Sequence, residues 1–226
     1  MRRVTERAIP FKIFGLQRTG TNVMAALLTQ NFYAKSIERW TDWKHGRVEE
    51  LLVSWNGVPV RYVVCARNPY AWLVSCYRYF QKAIGRDPTL PPQFVQNPTI
   101  SFEQFLTTSS YEFVNPVDRW NRLNRHWLEA LPSSSLEIVK HEELLDDQVP
   151  VLVRLERGLR LSRRHAALCR IHRRVDVVPG GHPVERGYYL NGGYMSEYTP
   201  SMLDCVDRQV DKRLVDRFDY FTEQSK

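Results

Sequence analysis

Apolar residues follow two rhythms along the first half of the chain. The runs "FKIFGL" (11–16) and "VPVRYVVCA" (58–66) are short and almost unbroken, and read as buried strands, the second being rich in valine and tyrosine. After the first, Val23, Met24, Leu27 and Leu28 keep helical spacing up to about Phe32. After the second, Pro69 stands where a first helical turn tolerates proline, and "YAWLVSCYRYF" continues as a helix. Weaker signals make "AKSIERW" a strand and "GRVEELLVS" a short helix. Strand, loop and helix alternate, which predicts an α/β fold: three layers, with a mostly parallel central sheet flanked by helices.

The second half is patterned differently. Pro88, Pro91, Pro92 and Pro98 break residues 85–100 into an expected extended surface loop, a lid or a passive connection. "SFEQFL" opens on a serine cap with a glutamate two residues on, "VDRWNRLNRHWLEAL" is a long amphipathic helix, and "LEIV" is a further strand. The remainder reads as mainly helical, interrupted at 177–194, and no internal repeat or low-complexity tract is present.

At 226 residues, a single domain spanning 1–226 is the expectation. A formal charge of +7 favours an anionic partner without specifying which. Cys65, Cys76, Cys169 and Cys205 form no C-x-x-C pair and no zinc-like spacing, so they read as buried thiols in a reducing compartment. "MRRVTERAIPF" has no apolar core of a signal peptide, and no 18-residue apolar run occurs. Cytoplasmic location without a membrane partner is expected.

The chemistry concentrates where the first strand meets the first helix. A glycine-containing turn between a strand and a helix aims free backbone N–H groups and the positive end of the helix dipole at one point, where a phosphate or sulfate fits. In "QRTGTN", Gly20 permits close approach, Thr19, Thr21 and Asn22 are side-chain donors, and Arg18 adds a forked positive charge. The nucleoside-triphosphate loop G-x-x-x-x-G-K-[ST] competes for this reading, but Gly15 and Gly20 are followed by Thr21 and Asn22, without the lysine. The strand "YVVCARNP" also ends in Arg67 where a magnesium-holding acid is wanted, implying a second bound anion.

Taken together these residues resemble the sulfotransferase family, whose donor is 3′-phosphoadenosine 5′-phosphosulfate, and the likeness extends over most of the chain. "LQRTGTNV" is similar to the family's 5′-phosphosulfate loop, which implies that Arg18, Thr19, Gly20, Thr21 and Asn22 surround the 5′-phosphate and sulfuryl group. "ARNPYAWLVSCYRYF" looks like its 3′-phosphate segment, with Arg67 and Ser75 at the matching positions. "ERGYYLNGGY" offers Arg186 and Gly187 for the loop that covers the 3′-phosphate, although it departs from the Gly-x-x-Gly-x-Trp-Lys form. Asn22 and Val23 replace the Thr and Trp of many relatives. The segments "SFEQFL", "RWNRLNRHWL" and "VKHEELL" are similar in kind and order to later family segments. The resemblance implies a P-loop NTPase-like sulfotransferase fold, no metal, and a small-molecule or carbohydrate acceptor rather than nucleic acid.

Sulfuryl transfer needs charge compensation at the leaving phosphate and a base for the acceptor proton. The family commonly places a catalytic His or Glu after the first β-α unit. In "TDWKHGRVEE" that points to His45 as base, Lys44 as a helper near the sulfuryl group, and Glu38 and Asp42 as fallback bases. His126 reads as packing. Trp40, Trp43, Trp72 and the tyrosines of 188–198 are core or acceptor-pocket residues. The eight arginines between Arg154 and Arg174 read as a solvated helix face or a surface for an anionic acceptor. Two rivals stand beside this reading: a nucleotide kinase-like phosphotransferase, and a non-catalytic polyanion or nucleic-acid binder supported only by charge.

Overall fold

The computed structural model describes residues 7–84, 86, 90, 92–109, 112–171 and 186–220, and of Trp40 and Gln93 the backbone alone. Its elements in chain order begin with β1 (Ile9–Gly15), α1 (Thr21–Asn31), β2 (Ala34–Ser36), β3 (Ser54–Trp55), β4 (Val58–Pro59) and β5 (Arg61–Ala66). Helices α2 (Pro69–Ala83), α3 (Pro92–Gln96), α4 (Phe102–Thr107) and α5 (Pro116–Ala130) lead to β6 (Leu136–Lys140). The remaining helices are α6 (His141–Asp146), α7 (Gln148–Gly158), α8 (Arg186–Leu190), α9 (Pro200–Gln209) and α10 (Lys212–Arg217). The chain forms two compact units, Met1–Ala66 with His126–Val184 and Arg67–Arg125 with Glu185–Lys226.

The first unit holds a four-stranded, wholly parallel sheet in the order β2-β1-β5-β6. Both faces of the sheet are covered, so its strands read as nearly continuous apolar runs. On one face Phe11, Ile13, Val63, Cys65 and Val139 pack with Met24, Leu27 and Leu28 of α1 and Val151, Leu152 and Leu155 of α7. Each such fully buried side chain contributes roughly 1.5–3 kcal/mol. Alternation sends Lys12 and Phe14 to the other face, where Phe14 stacks with Tyr62 and with Trp127 at centroid distances of 6.4 and 6.1 Å.

Residues 46–54 form no helix, contrary to the expectation for "GRVEELLVS". Their amides go elsewhere: Val48 N–H donates to His126 Nε2 at 3.0 Å and Glu49 N–H to the Asp42 carboxylate at 3.0 Å. The segment ends in a small hairpin, β3 with β4, whose turn places Asn56 and Gly57 at φ 50° and 77°. "VPVRYVVCA" is therefore two strands, β4 belonging to the hairpin and β5 to the sheet.

The arginine-rich run is likewise not one helix face. Helix α7 stops at Gly158, and Arg160 turns the chain at φ 54°. Residues 162–169 are stitched to the end of α1: Tyr33 N–H to Ser162 O at 2.9 Å, Arg164 N–H to Asn31 O at 2.8 Å, and Cys169 N–H to Asn31 Oδ1 at 2.6 Å. Asn31 Nδ2 returns to Cys169 O at 3.0 Å. Arg154, Arg163 and Arg170 pair with Glu143, Glu156 and Asp147. His172, Arg173 and Arg174 lie outside the described residues.

The second unit is helical among its described residues. Asn68 caps α2, its Oδ1 accepting from Tyr70 and Ala71 N–H, with Pro69 in the first turn. Phe80, Phe94, Phe102 and Phe105 form an aromatic cluster, Phe80 and Phe94 stacking at 4.6 Å. Phe94 belongs to α3, so the proline-rich stretch is anchored by a buried ring rather than lying extended on the surface; residues 85, 87–89 and 91 fall outside the described residues. Ser101 caps α4 as expected, but its reciprocal partner is Gln104 rather than Glu103. Of the interruption expected at 177–194, residues 177–185 are outside the described set, and the remainder is α8 and a 3₁₀ turn at Gly193–Glu197. Among the described residues no helix is long and apolar enough to cross a membrane.

Candidate anion-binding site

The sheet order makes the position of the site intelligible. From β1 the chain moves to β2 on one side, and later returns through β5 on the other, so a topological switch point lies between β1 and β5 at their carboxyl ends. Gly15, the last residue of β1, is in register with Cys65 there. A Cβ on Gly15 would lie 2.6 Å from the Cys65 carbonyl oxygen and 2.6 Å from Thr19 Oγ1, so no larger residue fits.

Beyond Gly15 the loop is wound tightly. Arg18 and Gly20 have φ of 71° and 88°, two left-handed residues that bend the loop sharply before the helix. Thr19 is 1% exposed, and both its N–H and its hydroxyl donate to the Leu16 carbonyl, at 3.2 and 2.7 Å. Its side chain thus closes the loop on itself. Gly20 is the N-cap of α1 with no side-chain cap, and the first turn contains no acidic residue. The amides of Thr21, Asn22 and Val23 precede the first i→i−4 bond of the helix, which Met24 makes to Gly20 O at 2.9 Å.

The segment 41–46 is fastened to this loop. Gly15 N–H donates to Lys44 O at 3.0 Å, and His45 Nδ1 is bonded to Gly15 O. A carbonyl only accepts, so Nδ1 carries the proton and Nε2 is the basic nitrogen of the neutral ring. Lys44 Nζ reaches Asn22 Oδ1 at 2.7 Å and Glu38 at 2.8 Å. Asp42 accepts the amides of Glu49 and Glu50, so both fallback carboxylates are engaged in holding the segment. Trp43 is 52% exposed and meets the His45 ring edge-on at 5.3 Å. Arg18, Thr19, Gly20, Thr21, Asn22, Lys44 and His45 thus belong to one neighbourhood of the first unit.

Two further residues of this neighbourhood carry no role in the sequence reading, although His141 lies within "VKHEELL". Lys12, 1% exposed, reaches from the middle of β1 to Thr41 Oγ1 and the Asp42 carbonyl, under the segment that carries His45. Burial pulls its ammonium below the ordinary lysine range, against the opposing pull of Glu38 and Asp42. Its only signal in the sequence is a lone charge inside an apolar strand run. His141, first residue of α6, packs on the loop: a Cβ on Gly20 would lie 2.9 Å from its Nδ1. Cys65 is inert, its thiol pushed up to about 12 by burial.

The second unit holds the other expected cofactor residues. Arg67 is 2% exposed; its carbonyl accepts from Trp120 Nε1 at 3.0 Å, and its guanidinium carbon stands 4.2 Å from the centroid of the Tyr189 ring. Ser75 is buried on α2. Arg186 and Gly187 open α8 and are exposed, on the same short helix as Tyr189. Trp72 is fully buried, as are most of the aromatic residues of 188–198 to within a few per cent, whereas the side chain of Trp40 is outside the described set. Among the described residues no three His, Cys, Asp or Glu side chains converge as a metal site.

No family model matches the chain, and no curated protein matches it. Among solved structures the chain is similar to mouse sulfotransferase SULT7A1 complexed with PAP, at 15% identity and a TM-score of 0.41, over 68% of this chain and 57% of that one. The chain thus spans less than two thirds of that structure's length.

Proposed function

We propose that this chain is a sulfotransferase that uses 3′-phosphoadenosine 5′-phosphosulfate to sulfate a hydroxyl of a small-molecule or carbohydrate acceptor, an amine being a less favoured acceptor. The observation that carries the reading is the attachment of residues 44–45 to Gly15: a cation and a basic imidazole nitrogen are held beside an arginine-bearing anion loop. The absence of a lysine after Gly20 and the presence of Arg67, rather than an acid, after β5 support a sulfated, doubly phosphorylated donor over a magnesium nucleotide. The donor set also suits it, with forked arginines for phosphates and helix amides for a sulfuryl group.

The donor, when bound, would supply a sulfuryl group joined to the 5′-phosphate as a mixed anhydride, whose sulfur–oxygen bridge bond breaks with the 5′-phosphate as leaving group. The protein's share is alignment and charge compensation. Arg18 and the first-turn amides of α1 hold the negative charge that grows on the leaving phosphate. Thr19 keeps the loop closed, while Thr21 and Asn22 complete the rim, and Lys44, steered by Asn22 and Glu38, balances charge on the sulfuryl oxygens. His45 Nε2 takes the proton of the acceptor hydroxyl as its oxygen bonds to sulfur. Arg67 and Ser75 are assigned the 3′-phosphate, with Arg186 and Gly187 covering it.

The test is a thermal-shift comparison of 3′-phosphoadenosine 5′-phosphate, AMP and magnesium-ATP. A ligand at about a hundred times its Kd stabilises by roughly 2.7 kcal/mol, enough for a shift of several degrees. The expected result is a shift with the first nucleotide that clearly exceeds the shift with AMP, and none with magnesium-ATP. A shift with magnesium-ATP and none with the 3′-phosphorylated nucleotide would sink the proposal in favour of a phosphotransferase.

A further inference from the structure

The arginine after β5 is held at both ends. Its carbonyl is tied to the Trp120 indole at 3.0 Å, and its guanidinium lies 4.2 Å from the Tyr189 ring centroid, well inside the range of a cation–π contact. The ring itself is fixed: Tyr189 is 7% exposed, meets Tyr188 edge-on at 5.0 Å and stacks on Tyr194 at 6.3 Å. A guanidinium spends its attraction for a ring through the flat face and its hydrogen bonds through the edge, so the two demands do not compete. A fixed ring 4.2 Å from the guanidinium carbon limits where that group can sit, and so the directions from which its N–H edge can meet a forked acceptor. It also removes the rotamer freedom that a long side chain otherwise loses on binding.

We propose that Tyr189 is a positioning residue for Arg67, and through it a determinant of selectivity for a ribose 3′-phosphate. The inference rests on the assignment of Arg67 to that phosphate under the proposed function, and adds a residue that the anion-loop pattern does not contain. Tyr189 acts through its ring and not its hydroxyl, and its effect falls on the 3′-phosphate and not on the rest of the nucleotide. Substitution therefore changes a ratio of affinities rather than affinity in general.

The experiment is calorimetric titration of the full chain with 3′-phosphoadenosine 5′-phosphate and with AMP. Tyr189→Phe keeps the ring and is expected to keep the wild-type preference for the 3′-phosphorylated nucleotide. Tyr189→Leu removes the ring and is expected to weaken that nucleotide roughly 3- to 30-fold while leaving AMP unchanged. Incorporation of mono-, di- and trifluorinated phenylalanine at 189 drains the ring quadrupole at nearly constant shape, and the preference is expected to fall stepwise along the series. An unchanged ratio in Tyr189→Leu, an equal loss for both nucleotides, or a flat fluorination series overturns the proposal while the nucleotide assignment stands. A wild-type protein that does not distinguish the two nucleotides overturns the assignment and this inference together.

Discussion

His45 and Gly15 share a hydrogen bond between the imidazole Nδ1 and the last carbonyl of β1, thirty residues apart in the chain. The Gly15 amide answers with a bond to Lys44 O at 3.0 Å, so the end of the strand grips two consecutive residues through its two backbone groups. The grip selects one tautomer of His45 and fixes where its basic nitrogen lies. It requires a residue without a side chain at 15.

Removing the base without loosening the grip separates chemistry from binding. His45→Asn retains a side-chain N–H donor for the Gly15 carbonyl but has no basic nitrogen. Stabilisation by 3′-phosphoadenosine 5′-phosphate is expected to persist, while turnover with a working acceptor drops about 10²- to 10⁴-fold. Unimpaired turnover would remove His45 as the base.

Gly15→Ala tests the close approach. The added Cβ would meet the Cys65 carbonyl and Thr19 Oγ1 at 2.6 Å, a conflict that only movement of β5 or of the loop relieves. Destabilisation of about 1–3 kcal/mol is expected in urea titrations, together with loss of nucleotide stabilisation. A variant matching the wild type in both would show that the strand ends have slack.

Lys12 supplies a pH signature. Its pKa is lowered in the folded protein, chiefly by burial, against 10.5 when exposed. Over the window between those two values the unfolded chain binds more protons, so stability contributed by this residue rises with pH there. Below the folded pKa the cost of the buried ammonium is fully present. Denaturation midpoints of the wild type are therefore expected to improve relative to Lys12→Met as pH climbs from neutrality toward 10.5; parallel curves would mean that Lys12 titrates as though exposed.

Asn31→Ala addresses the stitched segment. The Asn31 side chain, 1% exposed, bonds to both the N–H and the carbonyl of Cys169 and to Leu27 O. Its loss leaves those groups short of partners, a cost of about 1–3 kcal/mol. Amide exchange at Cys169 is expected to accelerate well ahead of exchange in β1. Equal protection in variant and wild type would place the anchoring of 159–171 elsewhere.

The sequence by itself determined the alternation of strand and helix, the parallel sheet, and the turn at 15–21, because these depend on local period, on glycine and on caps that sit within a few residues of what they cap. The hairpin signal of Asn56-Gly57, between the segments read as a helix and a strand, has no part in that reading and emerges with the β3–β4 pair. Tertiary structure alone decided which amides of 46–54 go to Asp42 and His126 instead of to a helix, that Phe94 anchors the proline-rich stretch, and that the arginine run is stitched along α1 through Asn31. It alone joined His45 to Gly15 and Tyr189 to Arg67. Such contacts link residues from seven to more than a hundred positions apart, and a helical or strand period says nothing about which side chain an amide meets across such separations. Helical propensity at 46–54 amounts to a few tenths of a kcal/mol per residue, and the hydrogen bonds from Val48 to His126 and from Glu49 and Glu50 to Asp42, at roughly 0.5–1.5 kcal/mol each, outweigh it.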